Sequence, residues 1–298
     1  MRGDKRIYWQ QSRVFANTPV DELDCVDAHL MKRTAIAIAK YFYGLAASVY
    51  LFSVGWIVSG RARGLISTIA AHFGFRTIDF SIPTVRLAEI TDADCTIQLT
   101  ELPENDGNIT LLELSVIAAL VRQNAPRTIF EIGTFDGRTT LNMAVNAAPE
   151  ARLFTLDLPR EQVDSTKLHV TTGDRVFIDK PQSGARFAGT DAARRITQLY
   201  GDSAEFDFSP YFGTIDLIFV DGSHAYEYVL NDTEIALKLL RDGHGVILWH
   251  DYTAWPGATR ALNELSQRAL TNPPPAVGHP VFENMKHISG TTLVYFKM

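Results

Sequence analysis

The sequence predicts a doubly wound α/β domain built on a mostly parallel sheet, preceded by an N-terminal hydrophobic helix. Three observations carry this expectation. From residue 109 onward, short apolar runs of strand type alternate with segments of helical spacing. The strand runs are apolar almost without interruption, which marks a sheet covered on both faces rather than one face open to water. Well before the first of them, twenty residues from Tyr41 to Gly60 carry no charge. With 46% apolar and 21% charged residues among 298, the composition excludes disordered, collagen-like and coiled-coil classes. A net charge of −6 argues against a dedicated nucleic-acid binder, which would carry a basic excess.

Taken in order, residues 1–33 form a basic tail, and their lack of an apolar run argues against a signal peptide. Residues 1–76 hold 10 Lys and Arg against 5 Asp and Glu, so a basic head precedes an acidic body. Residues 34–76 form a hydrophobic helix with its core at 41–60 (YFYGLAASVYLFSVGWIVSG), bracketed by Lys40 and by Arg61 and Arg63. Twenty residues at 1.5 Å rise span the roughly 30 Å hydrocarbon core of a bilayer. Tyr41, Tyr43 and Trp56 stand near its ends, where aromatic side chains favour the interface. The expectation is a membrane-associated chain with its main domain, 109–298, in the cytoplasm. The rival reading is a buried helix, or one that pairs with a second copy of the chain to give a homo-oligomer. Residues 64–75 (GLISTIAAHFGF), including His72, read as an amphipathic continuation, and 77–108 as a linker with short strands. Cys25 and Cys95 are too few for a disulfide framework, which fits a reducing compartment.

The main domain is expected over 109–298. Its helices are LLELSVIAALVRQ (111–123), TLNMAVNAA (140–148), YEYVLNDTEIALKLL (226–240) and TRALNELSQRAL (259–270). Its strands are RTIFEIG (127–133), ARLFTLDLP (151–159), RITQLYGDS (195–203), TIDLIFVDG (214–222), GVILWHDY (245–252) and the closing GTTLVYFKM (290–298). In such folds ligands sit beyond the carboxyl ends of the strands, so the residues just after each strand are the candidates.

After the first strand come Glu131, Gly133, Thr134, Asp136 and Gly137. The two glycines permit a tight turn and close approach of a ligand, and a helix then begins with its amides facing the site. The spacing is GxxxG, not the GxGxxG of a dinucleotide pyrophosphate site. An acidic, glycine-lined crevice suits a cationic ligand bearing an amino acid. Asp157 ends the second strand, where an acid accepts from both ribose hydroxyls; its plain alternative is a turn aspartate before Pro159. Asp202 and Ser203 end the third and would border an adenine ring.

Asp221 and His224 follow the fourth strand, and His250 and Asp251 the fifth. Neighbouring parallel strands lie about 4.8 Å apart, so Asp221 and Asp251 can address one small volume. Two oxygen ligands there suit a hard divalent cation with open positions. His250 would be a third ligand, although nitrogen matches magnesium poorly, and a histidine hydrogen-bonded behind the site is the alternative. His224, with an ordinary pKa near 6.5, can accept a proton from a hydroxyl; otherwise it is a helix-start residue. The link 160–194, with Lys167, Lys180 and Arg186, is long enough for a lid or an acceptor site.

Together, FEIGTFDGRTTLNMA, LFTLDLP, ITQLYGDSAEFDF, DLIFVDGSHAYEYVLND and GVILWHDY, in this order, resemble the class I S-adenosylmethionine-dependent methyltransferases. The branch containing the macrolide-sugar O-methyltransferases is the nearest in pattern. The resemblance covers 110–298 and implies a seven-stranded Rossmann-like sheet with a terminal antiparallel strand. It implies that Glu131, Gly133, Thr134, Asp136 and Gly137 line the methionine moiety, that Asp157 holds the ribose and that Asp202 and Ser203 flank the adenine. In metal-dependent relatives an aspartate at the place of Asp221 and a carboxylate pair after strand five bind Mg2+, and the histidine at the place of His224 is the base. Here His250 replaces one carboxylate of the pair, which leaves Asp221 and Asp251 as the safer ligands. The implied activity is transfer of the methyl group of S-adenosylmethionine to a hydroxyl of a small-molecule or sugar-like acceptor. The rivals are a membrane-tethered adenosyl-binding protein without turnover, and a nicotinamide-dependent oxidoreductase, which the missing GxGxxG disfavours.

Overall fold

The computed structural model describes residues 20–60, 62, 63, 65, 66, 69, 79–92, 94–105, 107–268, 282 and 284–298, with side chains from residue 34 onward. The expectations for the basic tail before residue 20 and for His72 lie outside the described residues, as does most of the amphipathic continuation 64–75. The chain divides into two units, Met1–Thr77 and Ile78–Met298.

Among its described residues the first unit holds one long helix, α1 (Val20–Tyr50), continued by a π-helical turn (Leu51–Gly55) and a turn Trp56–Val58; after a break at Ser59, Gly60, Ala62, Arg63, Leu65, Ile66 and Ile69 are again helical. Within it, Thr34–Val58 is 25 residues of mean hydropathy 1.5, long and apolar enough to cross a membrane. An apolar helix is ordinarily buried in a core or in lipid. Here Phe42, Tyr43, Ile57 and Val58 are all exposed. The hydroxyl of Ser48 donates to the Gly44 carbonyl at 2.8 Å and that of Ser53 to Val49 at 2.5 Å, so these polar groups are satisfied within the helix itself. Arg63 donates to the carbonyls of Trp56 and Ile57 at 3.1 and 3.2 Å, satisfying groups left open at the helix end.

The second unit carries an eight-stranded sheet in the order β1-β7-β8-β6-β5-β2-β3-β4. The strands are β1 (Thr84–Val85), β2 (Thr128–Ile132), β3 (Arg152–Asp157), β4 (Ile196–Tyr200), β5 (Leu217–Val220), β6 (Val246–Trp249), β7 (Lys286–Ile288) and β8 (Val294–Lys297). From β4 to β6 every pairing is parallel, and β8 runs antiparallel to β6. The doubly wound α/β sheet with its terminal antiparallel strand therefore matches expectation. The count of seven is corrected to eight, because the two-residue β1 adds to the outer edge of β7. So short a strand has no periodicity by which to be recognised.

Alternation along each strand sends side chains to two apolar layers. Ile129, Leu153, Phe219 and Leu248 meet α2 (Leu111–Asn124) and α3 (Arg138–Asn146) on one face. Phe130, Leu156, Ile218 and Trp249 meet α5 (Tyr226–Leu239) and α6 (Pro256–Arg268) on the other. Helix α2 starts in a capping box: Glu113 N–H donates to Thr110 Oγ1, and Thr110 N–H to Glu113 Oε2. It ends at Ala125 in the left-handed region, just before Pro126 breaks the pattern. Arg138, Asn142 and Asn146 recur every four residues and so share one face of α3. They bond Glu101, Leu102, Thr100 and Gln98, which pins the segment 98–102 along that helix. The link from β3 to β4 contains only the short helix α4 (Arg175–Ile178) and single 3-10 turns.

Candidate active site

The chain runs from β2 outward through β3 to β4, then returns to β5 and β6 on the other side of β2. The order reverses between β2 and β5, and there a crevice must open at the carboxyl ends. The ends are tightly knit. Gly133 N–H donates to Leu156 O at 2.8 Å, Asp221 N–H to Ile132 O at 2.8 Å, and His250 N–H to Val220 O at 3.1 Å. Gly133 has φ +100°, and a Cβ there would sit 2.0 Å from the Asp221 carbonyl oxygen. Only glycine lets β2 and β5 close at this point.

Above this seam lies a cavity of about 220 Å³. It brings together Gly133, Asp157, Asp202 and Ser203 on one side and Asp221, His224, His250 and Asp251 on the other. Five strand ends thus share one hollow.

Four candidates of the first turn do not line it. Glu131 is fully buried beneath, where its Oε2 accepts from Thr155 Oγ1 at 2.6 Å and from Thr140 Oγ1, while Oε1 has no partner. Burial pushes its carboxyl up to about 8, against the pull of those two hydroxyls. Thr134 turns sideways to Thr155 Oγ1 (2.7 Å) and Gln198 Nε2 (2.9 Å). Asp136 caps α3 by accepting Arg138 N–H at 3.1 Å, and it pairs with Arg186 Nε at 2.7 Å. Gly137 is covered by the link: a Cβ would lie 2.6 Å from Phe187 and 2.7 Å from Gly184. The side chains of Glu131, Thr134 and Asp136 are thus engaged by Thr155, Gln198 and Arg186 and do not line the hollow.

The other half of the cavity is a chain of charged contacts. Asp221 Oδ1 lies 2.9 Å from His250 Nδ1, which is 3.1 Å from Asp251 Oδ2. Asp251 Oδ2 is also 2.7 Å from His224 Nε2, and His224 Nδ1 meets Asp174 Oδ1. The His224 ring stacks on Trp255 with centroids 4.1 Å apart. Burial alone would lower the His224 pKa, yet its bonds to Asp174 and Asp251 carry it up to about 10. Burial likewise opposes charging of His250, but the neighbouring Asp251 and Asp221 raise its pKa well above the ordinary imidazole value. Asp221 is raised, chiefly by burial, whereas Asp251 is held low by the two histidines in spite of burial. Asp251 adopts φ +66°, a strained conformation for a residue with a side chain.

Asp221, His250 and Asp251 each offer one ligand atom within 4.8 Å of the others. Neither ring nitrogen of the buried His250 has a hydrogen bond of good geometry. Two carboxylate oxygens and one imidazole nitrogen fit a divalent cation, and the nitrogen favours manganese, iron or zinc over magnesium.

Three residues outside the sequence candidates shape the site. Asp174 orients His224 and accepts from Ser223 Oγ at 2.7 Å, yet nothing in TTGD (171–174) marks it for that task. Glu113 lies with Oε2 3.4 Å from His250 Nε2; its capping-box spacing was legible, its reach to His250 was not. Lys180, expected only as part of a long link, lies 2.7 Å from Asp157 Oδ2, and Ser183 Oγ donates to the same oxygen. Asp202 is engaged too, accepting Lys167 N–H at 2.7 Å and Tyr228 OH at 2.8 Å. The link 160–195 therefore closes over the crevice and meets three of its strand ends.

Residues 130–252, from β2 to just beyond β6, match a family model described as a methyltransferase domain. This part of the chain is similar to a methyltransferase domain. No curated protein sequence is matched. Among solved structures, the S-adenosylhomocysteine-bound methyltransferase PaMTH1 of Podospora anserina is 18% identical, with a TM-score of 0.45 over 66% of this chain and 82% of that one. The Bacillus cereus O-methyltransferase bound to S-adenosylhomocysteine is 17% identical, with a TM-score of 0.43 over 71% and 89%. TomG of Streptomyces achromogenes, an O-methyltransferase involved in tomaymycin synthesis, is 21% identical, with a TM-score of 0.40 over 68% and 85%.

Proposed function

We propose that the enzyme moves the methyl group of S-adenosylmethionine to a hydroxyl of a small-molecule or sugar-like acceptor. The observation that carries this reading is the single hollow shared by an adenosyl-type half and a polar half. In this reading Gly133 lets the amino-acid arm approach the backbone, Asp157 accepts from the ribose through its second oxygen, and Ser203 borders the adenine. The donor is already activated by its sulfonium, so the chain contributes mainly alignment of acceptor oxygen, methyl carbon and sulfur. The five aspartates lining the cavity favour a cationic donor over a phosphate-bearing one.

His224 is the proposed base. Asp174 holds Nδ1, so the proton of the acceptor would be taken at Nε2. With Asp251 also bound to Nε2 the ring is an imidazolium and donates rather than accepts. Base action thus requires Nε2 first to give up its proton, to Asp251 or to solvent, and the acceptor hydroxyl then to replace Asp251 at that nitrogen. Asp221, Asp251 and His250 would hold a divalent cation, which when bound lowers the pKa of an acceptor hydroxyl.

We read Tyr41–Gly60 as a membrane segment that tethers the enzyme, supported by the apolar character of the 25-residue stretch Thr34–Val58 and the exposure of its large apolar side chains. A methyl-transfer screen across phenolic, sugar and lipid hydroxyls, with and without Mg2+ and Mn2+, tests the activity. Absence of transfer to every hydroxyl class, with a nitrogen acceptor methylated instead, would overturn the acceptor assignment. Resistance of the full chain to alkaline carbonate extraction from membranes tests the tether, and release into the supernatant overturns it.

A further inference from the structure

The geometry points to Lys180 as the residue that receives the carboxylate of the donor's amino-acid arm, an inference that rests on the S-adenosylmethionine reading above. That donor carries three charges: a sulfonium, an ammonium and a carboxylate. The hollow is lined by Asp157, Asp174, Asp202, Asp221 and Asp251, which suit the two cations and repel the carboxylate. Among the described residues that line it, Lys180 is the one lysine or arginine.

The ordinary seat for an anion at such a turn is the start of the following helix, where unpaired amides and the helix dipole face the ligand. Here two of those amides are already taken. Asp136 Oδ1 accepts Arg138 N–H at 3.1 Å, and Gly137 N–H donates to Thr134 O at 2.9 Å. A carboxylate placed there would gain from a cationic partner beside the turn.

Lys180 stands beside that turn. Its ammonium lies 5.9 Å from the centroid of Phe135, the second residue after Gly133, and 2.7 Å from Asp157 at the end of β3. It thus spans the two strand ends between which a ribose and an amino-acid arm would lie. Its side chain is only 10% exposed, so its charge is little screened by solvent. An ammonium has three donors. Asp157 Oδ2 takes one and the Phe177 carbonyl another at 3.2 Å, which leaves the third for a ligand. Lys180 also sits on the link between β3 and β4, so binding through it would draw that link onto the arm.

The test compares two ligands that share the adenosyl group and differ in the amino-acid arm. S-adenosylhomocysteine carries the carboxylate; 5′-methylthioadenosine does not. Calorimetric titration of the full chain gives the ratio of their affinities for the wild type, Lys180→Met and Lys180→Gln, the second variant serving where the first does not fold. A charge-assisted hydrogen bond of this kind is worth roughly ten- to a hundredfold in affinity. The ratio should fall by about that factor, with methylthioadenosine binding changed less than about twofold. If both ligands weaken equally, Lys180 acts only by bracing Asp157 and the inference is overturned, as it is by an unchanged ratio. A wild type that binds neither ligand sinks the methyl-donor reading itself, a result separate from either of these.

Discussion

Gly133→Ala tests the link between fold and site most sharply. The added Cβ would lie 2.0 Å from the Asp221 carbonyl oxygen, 2.5 Å from its carbon and 2.9 Å from Gly222 N. These are backbone atoms of the adjacent strand end, so no side chain can swing aside. Relief to an ordinary contact needs β2 and β5 to part by more than about 1 Å, which breaks the 2.8 Å bond from Asp221 N–H to Ile132 O. The left-handed backbone adds about 1–2 kcal/mol and the lost buried hydrogen bond about 1–3 kcal/mol. A loss of roughly 2–5 kcal/mol is a large share of the roughly 5–15 kcal/mol that holds a typical protein folded. Gly189→Ala is the control. Gly189 has φ +78°, and a Cβ there would meet nothing within 4 Å, so this variant should show the backbone cost alone. Urea midpoints at constant m-value measure both variants, and titration with S-adenosylhomocysteine shows whether the displaced Asp221 edge also weakens binding. Equal midpoints for the two variants would refute the close approach of β2 and β5.

Three further outcomes are expected. His224→Ala should lower kcat by about 10²–10⁴ while leaving S-adenosylhomocysteine affinity unchanged, as steady-state kinetics and calorimetry would show; full activity would remove His224 from the mechanism. Because the folded pKa of His224 lies near 10 and its ordinary value near 6.5, the folded state holds the extra proton between them. Its stabilising contribution is therefore complete below about pH 6.5 and is lost as pH rises toward 10. In chelator-treated buffer the urea midpoint of the wild type should fall over that window more steeply than that of Asp174→Asn, and parallel curves would contradict the pairing. Finally, Mn2+ should bind more tightly than Mg2+ because His250 supplies nitrogen, with the Mn2+ signal in electron paramagnetic resonance weakened in Asp251→Asn; equal affinities would argue that His250 is no ligand.

Much of the architecture was legible because the central strands are near-continuous apolar runs and their helices keep a 3.6-residue stripe. β7 was not, since Lys286–Ile288 is too short for any period to register, whereas β1 (Thr84–Val85) falls in the linker 77–108 where short strands were expected without fixed positions. The rule that ligands gather beyond strand ends located Asp157, Asp202, Asp221, His250 and Asp251 in one hollow from sequence position alone. It could not tell which residues of the β2–α3 turn reach the hollow, so Thr134, Asp136 and Gly137 were grouped with Gly133 although they meet Thr155, Arg186 and Phe187. Asp174 and the contact of Lys180 with Asp157 were hidden for a different reason. Their placement depends on how 160–195 folds over distant strand ends, and no local pattern encodes those contacts. Glu113 shows both sides at once, with its cap written in Thr110-Leu-Leu-Glu113 and its contact with His250 supplied only by the sheet.

The most direct measurement is transfer of a deuterated methyl group from labelled S-adenosylmethionine, followed by mass spectrometry of a hydroxyl panel, on the wild type and on Asp157→Ala. A mass gain of one labelled methyl on an acceptor oxygen, lost in the variant together with S-adenosylhomocysteine binding, is the predicted result. Transfer that persists at the wild-type rate in Asp157→Ala would contradict the placement of the donor in this cavity.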